Sequence, residues 1–122
     1  MEFSRFSEEN RRRCVSDEGF GHFLDDWSLS DWYTAVSGEL GEAGNIIKKL
    51  NRIRDDISGN RSEEDRENLT EALKDEIADT FIYLDLIAQH IGFDLGERVA
   101  EVFDRKSAQI GYPVRISQGR QS

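Results

Sequence analysis

The chain has 122 residues, 34% of them charged and 37% hydrophobic, with a net charge of −9, which is one small domain with a modest core. The acidic excess argues against a general binder of nucleic acid or of an anionic membrane, because affinity for phosphate backbones comes from clustered Lys and Arg. A single cysteine, Cys14, excludes an internal disulfide framework and suits a reducing cytosol.

The N-terminus is polar and mixed in charge, unlike a signal peptide, and no apolar run approaches the ~20 residues of a membrane span. A soluble cytoplasmic domain is expected. Pro113 is the only proline, so nearly the whole chain is free to be helical. Residues 1–14 read as a short helix with Phe3 and Phe6 as its apolar contacts, and Arg11, Arg12 and Arg13 as a solvated charge run. Residues 15–30, with Gly19, Gly21 and three serines, read as an irregular connector, and Ser28 or Ser30 is placed to cap the next helix.

That helix, about 31–53, carries Trp32, Val36, Leu40, Ala43, Ile47 and Leu50 on its apolar side. Gly38, Gly41 and Gly44 interrupt it at a cost of ~1 kcal/mol each relative to Ala, which points to close approach of another backbone, a ligand or a packed helix. Residues 54–67 are charged, contain Ser58-Gly59-Asn60 and read as an exposed loop. A second long helix, about Asn68 to Ile91, has two apolar stripes, one of Leu69, Ala72, Leu73, Tyr83 and Ile87 and one of Ile77, Phe81, Leu84 and Ala88. A helix apolar on two sides must be covered on two sides, so the sequence predicts an all-α antiparallel helical bundle assembled as a homo-oligomer, dimer or tetramer. Gly92 ends this helix and Asp94 with Glu97 starts another over 95–110, with Leu95, Val99, Val102, Phe103 and Ile110 on one face and Lys106 in the same stripe. Gly111-Tyr112-Pro113 stops it, and 114–122 form a polar, loosely held tail.

Two acid pairs stand out against this pattern. At about 100° per residue, Glu39 and Glu42 fall in the stripe of Ala35, Ala43, Ile46 and Leu50, and Glu76 and Asp79 fall in the stripe of Leu73 and Tyr83. Antiparallel packing of the two helices would bring four carboxylates together, and like charges at that spacing need a cation between them. Lys49 and Lys106 are single charges. A divalent metal resolves the conflict, and all-oxygen ligands select Mg²⁺, with Mn²⁺ possible, over Zn²⁺. Neither His22 nor His90 follows a Glu by three, as a ferritin-like di-iron site would need, and Cys14 has no evident base beside it.

With their surroundings, GELGEAGNIIKKL, DEIADTFIYLDLIA and FDRKSAQIGYP, these pairs resemble the all-α nucleoside triphosphate pyrophosphohydrolases of the MazG-like superfamily, over roughly residues 27–113. The superfamily includes dimeric dUTPases, dCTP pyrophosphatases and phosphoribosyl-ATP pyrophosphatases. The resemblance implies Mg²⁺-dependent hydrolysis of a nucleoside triphosphate to the monophosphate and pyrophosphate, in nucleotide-pool cleansing or control. It implies Glu39, Glu42, Glu76 and Asp79 as catalytic metal ligands, Lys49 and Lys106 as phosphate partners, and Tyr83 and Trp27 as contacts to the nucleoside. Where some relatives carry an extra acid before the first motif Glu, this chain has Gly38, so the general base falls to one of the four acids or to metal-bound hydroxide. A different class of reading is a catalytically silent helical module that keeps the acids for metal, nucleotide or partner binding.

Overall fold

The computed structural model describes residues 1–55 and 63–117; the Ser58-Gly59-Asn60 segment expected as a loop, and the tail beyond Ser117, lie outside them. Among the described residues there are four α-helices, α1 (Phe3–Val15), α2 (Leu29–Arg54), α3 (Glu63–Ile91) and α4 (Leu95–Ile110), a 3-10 turn at Leu24–Asp26, and no strand. No helix among them is long and apolar enough to cross a membrane. The chain divides into two compact units, Trp27–Ile87 and Met1–Asp26 with Ala88–Ser122, and the division falls inside α3.

The unit of α2 and the body of α3 is a helical hairpin. Ser28 starts α2 with a reciprocal capping box, its hydroxyl accepting from the Asp31 N–H and the Asp31 carboxylate accepting from the Ser28 N–H. Trp32 of α2 meets Tyr83 of α3 with ring centroids 6.5 Å apart, and seven residues further along α2 Glu39 meets Glu76, seven residues back along α3. The two helices therefore run antiparallel, in a register fixed by an aromatic pair at one level and by carboxylates at the next. Trp32, Val36 and Ala43 of α2 are buried, as are Asp85 and Leu86 of α3.

Two apolar stripes are left uncovered within the single chain. Leu40 is 61% exposed and Ile47 is exposed too, since they lie about 40° around α2 from the buried stripe and one partner helix covers only one stripe. Ile77, Phe81 and Leu84 of α3 are likewise exposed, while Ala88, the fourth residue of that stripe, is buried. The glycines of α2 also find a plainer environment than close packing: a Cβ at Gly38, Gly41 or Gly44 would meet nothing within 4 Å. Helix packing within the protomer does not require them.

The other unit joins the N-terminal segment to the end of α3 and to α4. Gln89 donates to the Ser7 carbonyl and hydroxyl at 2.9 and 3.0 Å. His90 Nδ1 lies 3.1 Å from the Leu24 carbonyl and 3.0 Å from Asp25, the place of a packed structural histidine. Phe3 sits so close to Gly96 that a Cβ there would come within 2.8 Å of its ring. On α4 the small residues Ala100 and Ser107 face inward, whereas Val99, Val102, Phe103 and Ile110 are exposed. Lys106, expected inward with that stripe, is exposed with it. The reason is steric, because small side chains allow a closer helix approach than the bulky stripe does. Gly111 closes α4 with φ of 80°, a conformation that strains any residue with a Cβ. The tail is held as far as Ser117, with Asp104 accepting from the backbone N–H groups of Ile116 and Ser117 and from the Ser117 hydroxyl.

With no neighbour to strike, Gly41→Ala is expected to stabilise the metal-free protein by about 0.5–1 kcal/mol through helix propensity and a less flexible unfolded chain. Urea titration monitored by circular dichroism measures it, and a destabilised variant would mean that something outside the protomer touches Gly41.

Candidate metal centre

Three of the four acids singled out by sequence come together. One carboxylate oxygen from each of Glu39, Glu42 and Glu76 lies within 4.8 Å of the others, two from α2 and one from α3. Glu39 and Glu76 are half-buried between the helices and Glu42 is exposed, so the group opens to solvent on one side instead of pointing wholly into the core. Asp79, one turn along α3 from Glu76, is exposed and stands outside this three-oxygen group, yet its charge raises the pKa of both Glu42 and Glu76.

The electrostatics are those of crowded like charges. The Glu76 carboxylate beside it pushes Glu42 above the ordinary 4.5, helped by the closeness of the two side chains, by desolvation and by Asp79. Glu76 is raised first by the Glu39 side chain beside it, then by desolvation, against a lowering contribution from Glu42. Among the described residues no Lys or Arg forms an ion pair with any of the four acids. Glu76 Oε2 is buried and has no hydrogen-bond partner, a costly state for a carboxylate oxygen. A cation held there would satisfy that orphaned oxygen and offset the repulsion together. An all-oxygen donor set open to water on one side fits a hard divalent ion that keeps part of its hydration shell.

The remaining sequence candidates separate. Trp27 and Tyr83 both contact Trp32, at 4.6 and 6.5 Å between ring centroids, forming an aromatic cluster at the capped end of α2. Trp27 is half-buried and, with Asp31, Thr34 and Ala35, lines a groove of about 450 Å³. Lys49 is exposed two turns beyond Glu42 on α2, and Lys106 is exposed on α4. Sequence reading passed over Asp31 and Thr34; it offered Ser28 or Ser30 as the cap of α2 and not the groove beside it. It also passed over Asp85, which has no solvent exposure.

Cys14 corrects one expectation. A base does lie beside it, His22 Nδ1 being 4.0 Å from Sγ, and α1 holds the residue fully buried. Burial, and secondarily Asp26, raises the thiol's pKa, so the group stays protonated and unreactive at neutral pH. The arginine run is solvated as expected, with Arg12 on Glu8 and Glu9 and Arg13 over the Phe20 ring.

Because Glu42 and Glu76 hold protons more tightly folded than at their ordinary 4.5, their contribution to stability is complete below that pH and is lost as pH rises through the raised values. In metal-free buffer at neutral pH, Glu42→Gln is therefore expected to melt above the parent and to converge on it as the pH falls to about 4.5. Millimolar Mg²⁺ should raise the parent's melting temperature and leave Glu76→Gln where it was. A variant melting below the parent at neutral pH would show that these carboxylates do not repel.

No protein-family model, curated protein or solved structure matches the chain.

Proposed function

We propose that the chain is a Mg²⁺-dependent nucleoside triphosphate pyrophosphohydrolase of the MazG-like kind, converting a triphosphate and water to a nucleoside monophosphate and pyrophosphate. The observation that carries this reading is the group of Glu39, Glu42 and Glu76, three carboxylates from two helices with a buried orphan oxygen and, among the described residues, no ion pair to a Lys or Arg. The resemblance of GELGEAGNIIKKL and DEIADTFIYLDLIA to the superfamily's motifs supplies the substrate class.

Glu39, Glu42 and Glu76 would hold the ion. When bound, a divalent metal neutralises phosphate charge and makes water a better nucleophile. The chain's own residues do the rest. Glu39 and Glu76, half-buried on facing helices, fix the donor oxygens in place before substrate arrives, the preorganisation on which electrostatic catalysis depends. Glu42 and Asp79 lie at the exposed side, where a triphosphate enters. Asp79 stands outside the three-oxygen group, so its carboxylate is able to complete the ion's shell or to take the proton from the attacking water. Lys49 and Lys106 are long, exposed cations available to phosphates in bulk solution, and a role for either rests on the resemblance alone.

The oligomer belongs to the same proposal. α2 leaves Leu40 and Ile47 in solvent, α3 leaves Ile77, Phe81 and Leu84, and α4 leaves Val99, Val102, Phe103 and Ile110. So many large apolar side chains on so small a chain are typical of helices that a second copy covers.

The test is product identity. With Mg²⁺ and a panel of NTPs and dNTPs, pyrophosphate and not orthophosphate is expected from at least one, with turnover falling at least about a hundredfold in Glu42→Ala or Glu76→Ala. Orthophosphate alone, or unchanged turnover in both variants, would sink the hydrolase reading. If Mg²⁺ stabilises the protein and a non-hydrolysable nucleotide adds nothing, the silent metal-binding module takes its place. For assembly, light scattering on Phe81→Glu is expected to show a mass reduced from that of the parent oligomer; a monomeric parent would refute the second copy.

A further inference from the structure

The segment after α4 is held by an unusually concentrated set of contacts. Gly111 ends the helix, the Tyr112 N–H donates back to the Ser107 carbonyl at 2.8 Å, and the chain folds back as far as Asp104. Asp104 then accepts from three donors on two consecutive residues. The Ile116 N–H reaches Oδ1 at 2.8 Å, and the Ser117 N–H, at 3.0 Å, and the Ser117 hydroxyl reach Oδ2. Arg115 serves its own segment, donating to the Tyr112 and Val114 carbonyls. Among the described residues, every hydrogen bond from 113–117 to α4 therefore ends on one carboxylate. Tyr112, Val114 and Ile116 are exposed, so apolar burial contributes little to the docking.

Docking that depends on one carboxylate is lost as a unit when that carboxylate is lost. Acid is a weak trigger for it. The Ser117 hydroxyl first, then the backbone N–H groups of Ile116 and Ser117 and the charge of Arg115, hold the Asp104 carboxyl below its ordinary 3.8 against the opposing effect of desolvation. The contribution of the carboxylate is thus complete above that pH and is lost only as pH falls through the lower folded value. Charge added on the other side of the contact is far more effective. Ser117 has a single hydroxyl proton, and it is given to Asp104. A phosphoryl group on that oxygen removes the donor and sets about two negative charges against the carboxylate.

We infer that residues 112–117 form a releasable strap, clasped to α4 by Asp104 and opened as a unit by phosphorylation of the Ser117 hydroxyl. The closed clasp occupies the hydroxyl, so the open form is the one that reacts. The Ser117 oxygen bonds to the γ-phosphorus of a nucleoside triphosphate held by a protein serine kinase. The bond from that phosphorus to its bridging oxygen breaks, the diphosphate leaves, and the hydroxyl proton passes to the kinase's base. The phosphoryl group then bars reclosure.

The test compares the full-length parent with the same protein carrying phosphoserine at position 117, by amide hydrogen exchange at Ile116 and Ser117 and by tryptic cleavage after Arg115. Both amides are expected to exchange at least about tenfold faster in the phosphorylated protein, with the amides of Ala100 and Ser107 inside α4 unchanged. Ser117→Ala keeps both backbone N–H bonds and should stay within about threefold of the parent. Asp104→Asn loosens the clasp and removes the repelling charge, so on that background the phosphoryl group should add no more than about threefold. Parent-like protection in the phosphorylated protein overturns the strap, as does an undiminished phosphoryl effect in Asp104→Asn. Opening by Ser117→Ala as wide as by phosphoserine also overturns it, because charge would then not be what opens the clasp.

Discussion

The antiparallel register of α2 and α3 is the constraint on which the rest depends. One contact level holds the Trp32 and Tyr83 rings, and seven residues along each helix the next holds Glu39 and Glu76. Seven residues is close to two full turns, so both levels fall on nearly the same face of each helix. A helix that buries an indole at one level must therefore present Glu39 to its partner at the next. The aromatic pair offsets the repulsion it enforces. Burial of a Trp side chain is a large hydrophobic contribution, and the carboxylates spend part of it by facing each other without a cation.

This arrangement gives the site two parts of different character on one helix. The capped first turns of α2 carry an aromatic cluster and a groove edged by acceptors, while its middle turns carry carboxylates of raised proton affinity. The first part is suited to a flat, uncharged or weakly polar group and the second to a hard cation and whatever anion follows it. The functional proposal stands on the second part, three carboxylates from two helices with a buried orphan oxygen.

Much of this was legible in the sequence. The extent of α4 was set by Asp94 and Gly111, and the cap of α2 was narrowed to Ser28 or Ser30, of which Ser28 serves; these are local signals, carried by residues within three positions of the backbone they serve. The pairing of Glu39 and Glu42 with Glu76 was legible because helical spacing and a hairpin connection leave few ways to arrange two acid-bearing stripes. What periodicity could not decide was which apolar stripe a helix buries. Leu40, Ile47 and Phe81 are as apolar as the residues that are covered, and α4 turns Ala100 and Ser107 inward while leaving Phe103 out. That choice belongs to tertiary packing, where the closeness allowed by small residues competes with the area offered by large ones. Lys106 was misplaced for this reason. The groove was missed because its polar residues carry ordinary helix-start chemistry, and only folding places them beside Trp27.

The open glycines of α2 have a consequence for how the helix holds its shape. Gly38, Gly41 and Gly44 bracket the acid pair without any contact that a methyl group would disturb. The stretch that carries Glu39 and Glu42 is thus the part of α2 with the weakest intrinsic tendency to stay coiled. It is held from outside by the capping box and Trp32 at one end, while the Glu76 carboxylate across the gap repels it. An ion bridging the two helices would act as a third clamp on that same stretch, so that loading the site and stiffening the middle of α2 become a single event.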